Sequence, residues 1–178
     1  MSKKIFDKED YNSPDGMLTS VWGPPLWHTL HTISFNYPVK PNKEDIENYY
    51  NFFKSLKKIL PCKYCRINLD KNLKTIKLNK KVFKNRETLS RWVYDLHENV
   101  NKMLGKKSGL SYKNVRERYE HFRARCLNDK IKTKKEKGCT DSLYGMKGKC
   151  VLNIVPKKSD VNTFNIDPKC KITRKKKK

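Results

Sequence analysis

The sequence predicts an all-α domain, a four-helix bundle plus a short fifth helix, followed by a basic irregular C-terminal extension. Three observations predict it. Two long stretches, 42–60 and 86–106, repeat their apolar residues at helical spacing. Proline, glycine and capping residues punctuate the chain so that only short links separate the helical stretches, as a bundle requires. Beyond Cys126 the periodicity fails and lysine takes over.

Residues 1–20 carry Pro14, Asp15 and Gly16 with little periodicity and read as a flexible arm. A first helix is expected to open at Pro24 or Pro25, since proline is tolerated in an opening turn, and to stop before Pro38. Trp27, Leu30 and Ser34 mark its inner side, with Ile33 flanking. A second helix fits 42–60: Asn42 caps it, Glu44 and Asp45 sit in its first turn, and Ile46, Tyr49, Tyr50, Phe53, Leu56 and Leu60 recur at helical spacing. Pro61 breaks that helix, 62–73 reads as the next, and a basic loop covers 74–84. The strongest helix is 86–106, with Leu89, Trp92, Val93, Leu96, Val100 and Leu104 in one stripe and Gly105 placed to end it. Ser111 can cap a last helix through Val115, Tyr119 and Phe122 to about Arg125. The helical domain is therefore expected over 21–126. A basic, cysteine-containing and partly disordered tail follows over 127–178, with one short strand around 151–155. Residues 130–178 hold 16 Lys and Arg against 4 Asp and Glu, and the chain ends on five consecutive basic residues.

The whole chain has 42 Lys and Arg against 18 Asp and Glu, a formal charge of +24. Acidic partners follow from that surplus, nucleic acid or acidic proteins docking on the tail foremost. The lysines are scattered instead of sharing one helix face, so a general bias towards Lys, Asn and Ile accounts for the charge equally well. Nowhere do about 18 apolar residues run together, which leaves no membrane span. The charged residues 1–11 lack the apolar stretch of a secretory signal, so a cytoplasmic protein is expected. In that setting six cysteines read as metal ligands or redox groups before they read as a disulfide framework.

The sharpest local feature is Leu60-Pro61-Cys62-Lys63-Tyr64-Cys65. Two cysteines two residues apart can close a disulfide across the first turn of a helix, where free amides and the helix dipole stabilise a thiolate and make the pair exchangeable. Lys63 adds positive charge beside both sulfurs. The same spacing is half of a zinc site, which would need a second pair. Cys126, Cys139, Cys150 and Cys170 supply no second CxxC, while His28 and His31 keep a Cys-Cys-His-His site open.

A cycling dithiol needs an electron acceptor. A thioredoxin-like protein would set its CxxC in a βαβ pattern, and none is visible. The alternative is a flavin, which takes two electrons and passes them to oxygen. A bundle can hold the flat ring between helices, given aromatic and polar side chains at helical spacing. Trp27 and His31 on the first helix, and His97 and Asn101 on the long one, have that spacing; Trp92 lies on an adjoining face and Lys106 follows at the end. Trp27, Trp92 and His97 read equally well as ordinary core residues.

The stretch from Gly23 through Trp27, Leu30 and His31 to Tyr37-Pro38 resembles the opening helix of the Erv/ALR sulfhydryl oxidases, whose pattern is W-x-x-L-H and then Tyr-Pro. Pro61-Cys62-x-x-Cys65 with Leu69 resembles their active-site turn. Leu96-His97-Glu98-Asn99-Val100-Asn101 with Leu104-Gly105-Lys106 is similar to their flavin-binding H-N-x-V-N-x-x-L-G-K segment. The three blocks fall in the family's order, cover about 22–126, and look closest to the forms from large cytoplasmic DNA viruses.

The resemblance implies FAD as cofactor, protein dithiols and molecular oxygen as substrates, hydrogen peroxide as product, and a homodimer. It implies that Cys65 lies against the flavin and that Cys62 is attacked by substrate. FAD contacts would come from Gly23, Trp27, His31, Trp92, His97, Asn99, Val100, Asn101 and Leu104, with Lys106 near the phosphates and Tyr119 near the adenine. No metal is implied. Two departures stand out. Ser111 and Tyr112 occupy the place of a family cysteine, which leaves Cys126 without its usual partner, and Glu98 follows His97 where the family reads Asn. The dimer face would lie on the first two helices, where Tyr49, Tyr50, Phe52 and Phe53 offer more aromatic surface than one bundle face buries. In the tail, a bridge among Cys126, Cys139 and Cys150 with Cys170 free is expected, a redox shuttle being the alternative. For the chain as a whole the competing readings are a basic nucleic-acid-binding or virion-packaging protein and a zinc-stabilised module. An oxidase of viral origin would act in the host-cell cytoplasm or the virion.

Overall fold

Five of the six α-helices open on a side chain that takes up a free amide, three of them through a reciprocal capping box. The structure, a computed structural model, describes residues 7–125, 141–142, 150–152, 160–161 and 164–166. Helix α1 is Lys8–Asn12, α2 Thr19–Asn36, α3 Lys43–Ile59, α4 Lys63–Thr75, α5 Arg86–Met103 and α6 Tyr112–Glu120, with a 3₁₀ turn at Lys80–Phe83 before α5. Asn42 and Asp45 close a capping box on α3, Asn85 and Thr88 on α5, and Ser111 and Asn114 on α6.

Helices α2 to α5 bury Leu30, Tyr37, Phe53, Leu56, Leu69, Phe83, Leu89, Trp92, Val93 and Leu96 in one core. Helix α6 adds a second cluster through Tyr112 and Val115 against Phe35 of α2. The bundle expected from periodicity is the bundle observed. Among the described residues no helix is long and apolar enough to cross a membrane.

Several boundaries differ from expectation. Helix α2 starts at Thr19, so Pro24 and Pro25 lie inside it. Proline has no amide to give the carbonyl four residues back, so this first stretch needs support from outside the helix ladder. Just ahead of the prolines the Trp22 indole Nε1–H donates to the Met17 carbonyl at 2.9 Å and ties the helix start to the arm. The arm expected over 1–20 is accordingly not featureless: it carries α1, and Gly16 forms a β-bridge with Cys62. The basic loop contains the 3₁₀ turn that delivers Phe83, fully buried, into the core. Helix α5 ends at Met103 in a Schellman closure, with Lys106 N–H donating to the Asn101 carbonyl and Gly105 N–H to that of Lys102. Gly105 supplies the required positive φ of 67°. Helix α6 stops at Glu120, and Ala124–Arg125 (β1) pairs antiparallel with Asp141–Ser142 (β2). Cys150–Leu152 (β3) pairs with Phe164–Ile166 (β4), so the extension holds two short ladders where one isolated strand was expected.

The four aromatic residues of α3 are also less exposed than the dimer argument supposed. Phe53 is buried, and Tyr49, Tyr50 and Phe52 pack half-buried against the same core.

Tyr37 ties α2 to the far side of the bundle. Its hydroxyl donates to the Phe83 carbonyl at 3.0 Å, and its own carbonyl accepts from Arg86 Nε at 2.6 Å. Burial and the nearby Asp45 charge push the phenol up to about 12. Tyr37→Phe removes the donor from a buried carbonyl and should lower the unfolding free energy by about 1–2 kcal/mol in urea titration.

Candidate functional site

Pro61 ends α3, and Cys62 follows in extended conformation (φ −160°, ψ 124°) as the N-cap of α4. Its Sγ accepts the Cys65 N–H at 3.2 Å. Both cysteines are free and half-buried. Burial first, then the hydrogen bond with Cys62 and the Cys62 charge, push the Cys65 thiol up, while Arg66 pulls the other way. The capping position belongs to Cys62, and Cys65 sits one turn inside the helix against an apolar wall.

That wall bounds a cavity of about 560 Å³ between α2, α4, α5 and α6, within the roughly 300–1,000 Å³ usual for cofactor sites. Most of the residues selected from sequence meet there. Gly23, Trp27 and His31 come from α2, Cys65 from α4, His97, Val100 and Asn101 from α5, Leu104 and Lys106 from just beyond α5, and Tyr119 from α6. Trp27 lies flat on His97, with ring centroids 4.0 Å apart and planes within 3°. His31 Nε2 and His97 Nδ1 are 3.0 Å apart. The Tyr119 ring covers His31 at 5.2 Å, and its hydroxyl is 3.2 Å from His28 Nδ1. Burial and the neighbouring His97 and His28 hold His31 down to about 3. Burial chiefly, with Lys106 adding to it and Glu98 opposing, holds His97 at about 4. Both imidazoles are neutral across the physiological range.

Two selected residues lie elsewhere. Trp92 belongs to the core: it is 6% exposed, meets Phe53 edge-on, and donates from Nε1 to the Ile76 carbonyl at 3.3 Å. It stands one turn of α5 before Leu96, which does line the cavity, and is itself packed into the core. Asn99 stands behind the wall, its side-chain amide donating at 3.0 Å to Asn72 Oδ1, and Asn72 is the residue that lines the cavity. Glu98, at the departure from the family pattern, accepts from Asn101 Nδ2 at 2.9 Å and steadies that side chain.

Sequence reasoning missed Trp22, Asn68, Asn72 and Arg118, all of which line the cavity. Asn68 and Asn72 lie four apart on α4, a polar stripe whose spacing was there to be read. Nothing set Arg118 apart among so many basic residues. The fit to FAD rests on two orphaned atoms: His31 Nδ1 and Arg118 Nε are buried with no partner among the described residues. A flat ring with polar edges beside the histidines, and an anionic group near Arg118 and Lys106, would satisfy what the chain leaves unsatisfied. Among the described residues no group of three or more His, Cys, Asp and Glu is placed to hold a metal ion. His28 and His31 turn towards Tyr119 and His97. The expectations for Cys126, Cys139 and Cys170, and for the side chain of Cys150, lie outside the described residues.

The sequence model of the Erv1/Alr family matches residues 24–120. A probable FAD-linked sulfhydryl oxidase of Acanthamoeba polyphaga mimivirus is 41% identical over 86 residues, covering 48% of this chain and 60% of the relative. The FAD-linked sulfhydryl oxidase of African swine fever virus is 36% identical over 106 residues, 54% of this chain and 80% of the relative. The chain thus spans only three fifths of the length of the mimivirus protein. Among solved structures, the FAD-binding domain of Erv1 from Saccharomyces cerevisiae superposes with a TM-score of 0.53 at 25% identity, covering 58% of this chain and 94% of that one.

The histidine pair makes stability pH-dependent. Folded-state values below the usual 6.5 mean that the unfolded chain binds protons which folded His31 and His97 refuse, so stability is full above 6.5 and falls as pH drops towards 4 and 3. For His31 the loss at pH 4 is on the order of 3 kcal/mol. Thermal melts of the flavin-free chain between about pH 7.5 and 4 should show it, with a shallower fall in His31→Gln.

Proposed function

The chain belongs to the Erv1/Alr family, and from that premise we propose that it is an FAD-linked sulfhydryl oxidase that forms disulfides in protein dithiols and passes the electrons to oxygen. The observation that carries the reading is the split placement of the CxxC pair. Cys65 lines the cavity, whereas Cys62 stands outside it on the half-exposed cap of α4.

In the oxidised pair a substrate thiolate attacks Cys62 Sγ. A substrate–Cys62 disulfide forms, the Cys62–Cys65 bond breaks, and the electron pair leaves on Cys65. A second substrate thiolate then attacks the substrate sulfur and releases Cys62, so the substrate dithiol is oxidised and the cysteine pair reduced. FAD, held by the cavity residues, would supply the two-electron acceptor, with molecular oxygen as the final sink and hydrogen peroxide as the product. Trp27, His31, His97 and Asn101 would hold the ring, and Lys106 and Arg118 the phosphates, with Tyr119 closing the α6 side. Neutral His31 and His97 orient by hydrogen bonding and move no proton.

The remaining expectations stand as proposals. A homodimer is supported by the outward halves of Tyr49, Tyr50 and Phe52 and by exposed Ile59 on α3. The charge of +24 supports docking of an acidic protein or nucleic acid on the basic tail. Viral relatives support action in a host-cell cytoplasm or virion.

The purified chain should carry flavin absorbance and release peroxide from a reduced protein substrate. Cys62→Ser and Cys65→Ser should each keep the flavin and lose turnover by about 100-fold or more, because exchange needs both sulfurs. Substantial turnover in either variant would sink the assignment. Sedimentation at micromolar concentration should show a dimer, and a stable monomer would refute that part.

A further inference from the structure

Residues 15–17 run antiparallel to the turn that presents Cys62, with Gly16 facing Cys62 across the bridge. The Met17 amide donates to the Pro61 carbonyl at 2.7 Å, and the Lys63 amide donates to the Asp15 carbonyl at 2.9 Å. Neither turn group has a partner within a helix: Pro61 lies beyond α3, and Lys63 N–H is one of the opening amides of α4 that the helix cannot satisfy. The arm is anchored in turn to the cavity wall, because Trp22, which donates to the Met17 carbonyl, lines that cavity.

Gly16 makes the approach possible. Its φ is +102°, and a Cβ there would lie 2.5 Å from the Pro61 carbonyl oxygen and 2.9 Å from the Cys62 Cα. Both are backbone contacts that cannot swing aside. Gly105 also has positive φ, yet a Cβ there would meet nothing within 4 Å. At position 16 conformation and closeness both demand glycine.

Exchange requires the attacking sulfur, Cys62 Sγ and Cys65 Sγ to line up. Cys65 is fixed within α4, but Cys62 stands just outside it, so the direction of its side chain depends on the turn at 61–63. We propose that residues 15–17 are a backbone strap that positions Cys62 for thiol–disulfide exchange, and that Gly16 is the positioning residue that admits the strap. The proposal rests on Cys62 and Cys65 being the exchanging pair.

The test uses the full chain, reduced and then mixed with oxidised glutathione. Cys62 attacks the glutathione disulfide and releases one glutathione; Cys65 then displaces the second and closes the Cys62–Cys65 bond. Without oxygen and with the flavin already reduced, peptide mass spectrometry follows that bond with oxidised glutathione as the one oxidant. Gly16→Ala introduces the clash and Met17→Pro deletes the amide donor, and each should slow bond formation by about tenfold or more. Flavin content and helical circular dichroism should stay at wild-type values, and Glu9→Gln, on α1 of the same arm, should exchange at the wild-type rate. Rates within about twofold of wild type in both strap variants would overturn the proposal. So would a slowing seen only together with loss of helix or flavin, since that marks a merely structural role. If one variant fails to fold, the other decides. A wild-type chain that binds flavin but oxidises no dithiol would refute the oxidase reading, while the glutathione rates would still judge the strap.

Discussion

Pro61 has no amide to continue a helix, so α3 must end before it, and the chain turns away from the bundle over the residues that carry the sulfur chemistry. When α4 begins, its first amides need acceptors, and the Cys62 sulfur takes the one from Cys65. This single contact couples the sulfurs to each other and to the helix end. It holds Cys62 outward and leaves Cys65 facing inward from the first turn of α4. The cavity then needs only walls, which the inner faces of α2 and α5 and the flank of α6 provide.

Those walls are unusual for so basic a chain. Positive charge is plentiful at the surface, yet the groups in the centre are neutral imidazoles, amides and aromatic rings. Desolvation enforces this, because a charged imidazole packed against Trp27 and Tyr119 would lose its hydration with no anion to replace it. The Arg118 and Lys106 cations stand among the lining residues as the match for an acidic ligand group.

The helices were legible where local signals and burial agreed. Asn42 and Ser111 read as caps in sequence and cap in the structure, and the stripe from Leu89 to Leu96 is the buried face of α5. The start of α2 was not legible, because proline is read as an opening residue and here two prolines lie a turn inside the helix. Phe83 was hidden among lysines whose side chains point to solvent while its own fills the core. In the site, Trp27, His31, His97 and Asn101 followed from four-residue spacing and from resemblance. Trp92 shares its stripe with Leu96 and Val100, and spacing alone does not say where along that stripe the core gives way to the cavity. Arg118 differs from its basic neighbours only in being enclosed, which is a property of the fold.

The Tyr37 bonds to Phe83 and Arg86 join residues 46 and 49 positions apart. Contacts of that span carry the entropy cost of closing a long loop, a cost that the ordered helices α3 and α4 within it reduce. The corner between α2 and α3 is thus a seam held by contacts distant in sequence, with Tyr37 and Phe83 fully buried at it. One wall of the cavity belongs to α2, the helix that this seam secures. A ligand seated against that wall would hold the seam shut, making the filled protein slower to open than the empty one.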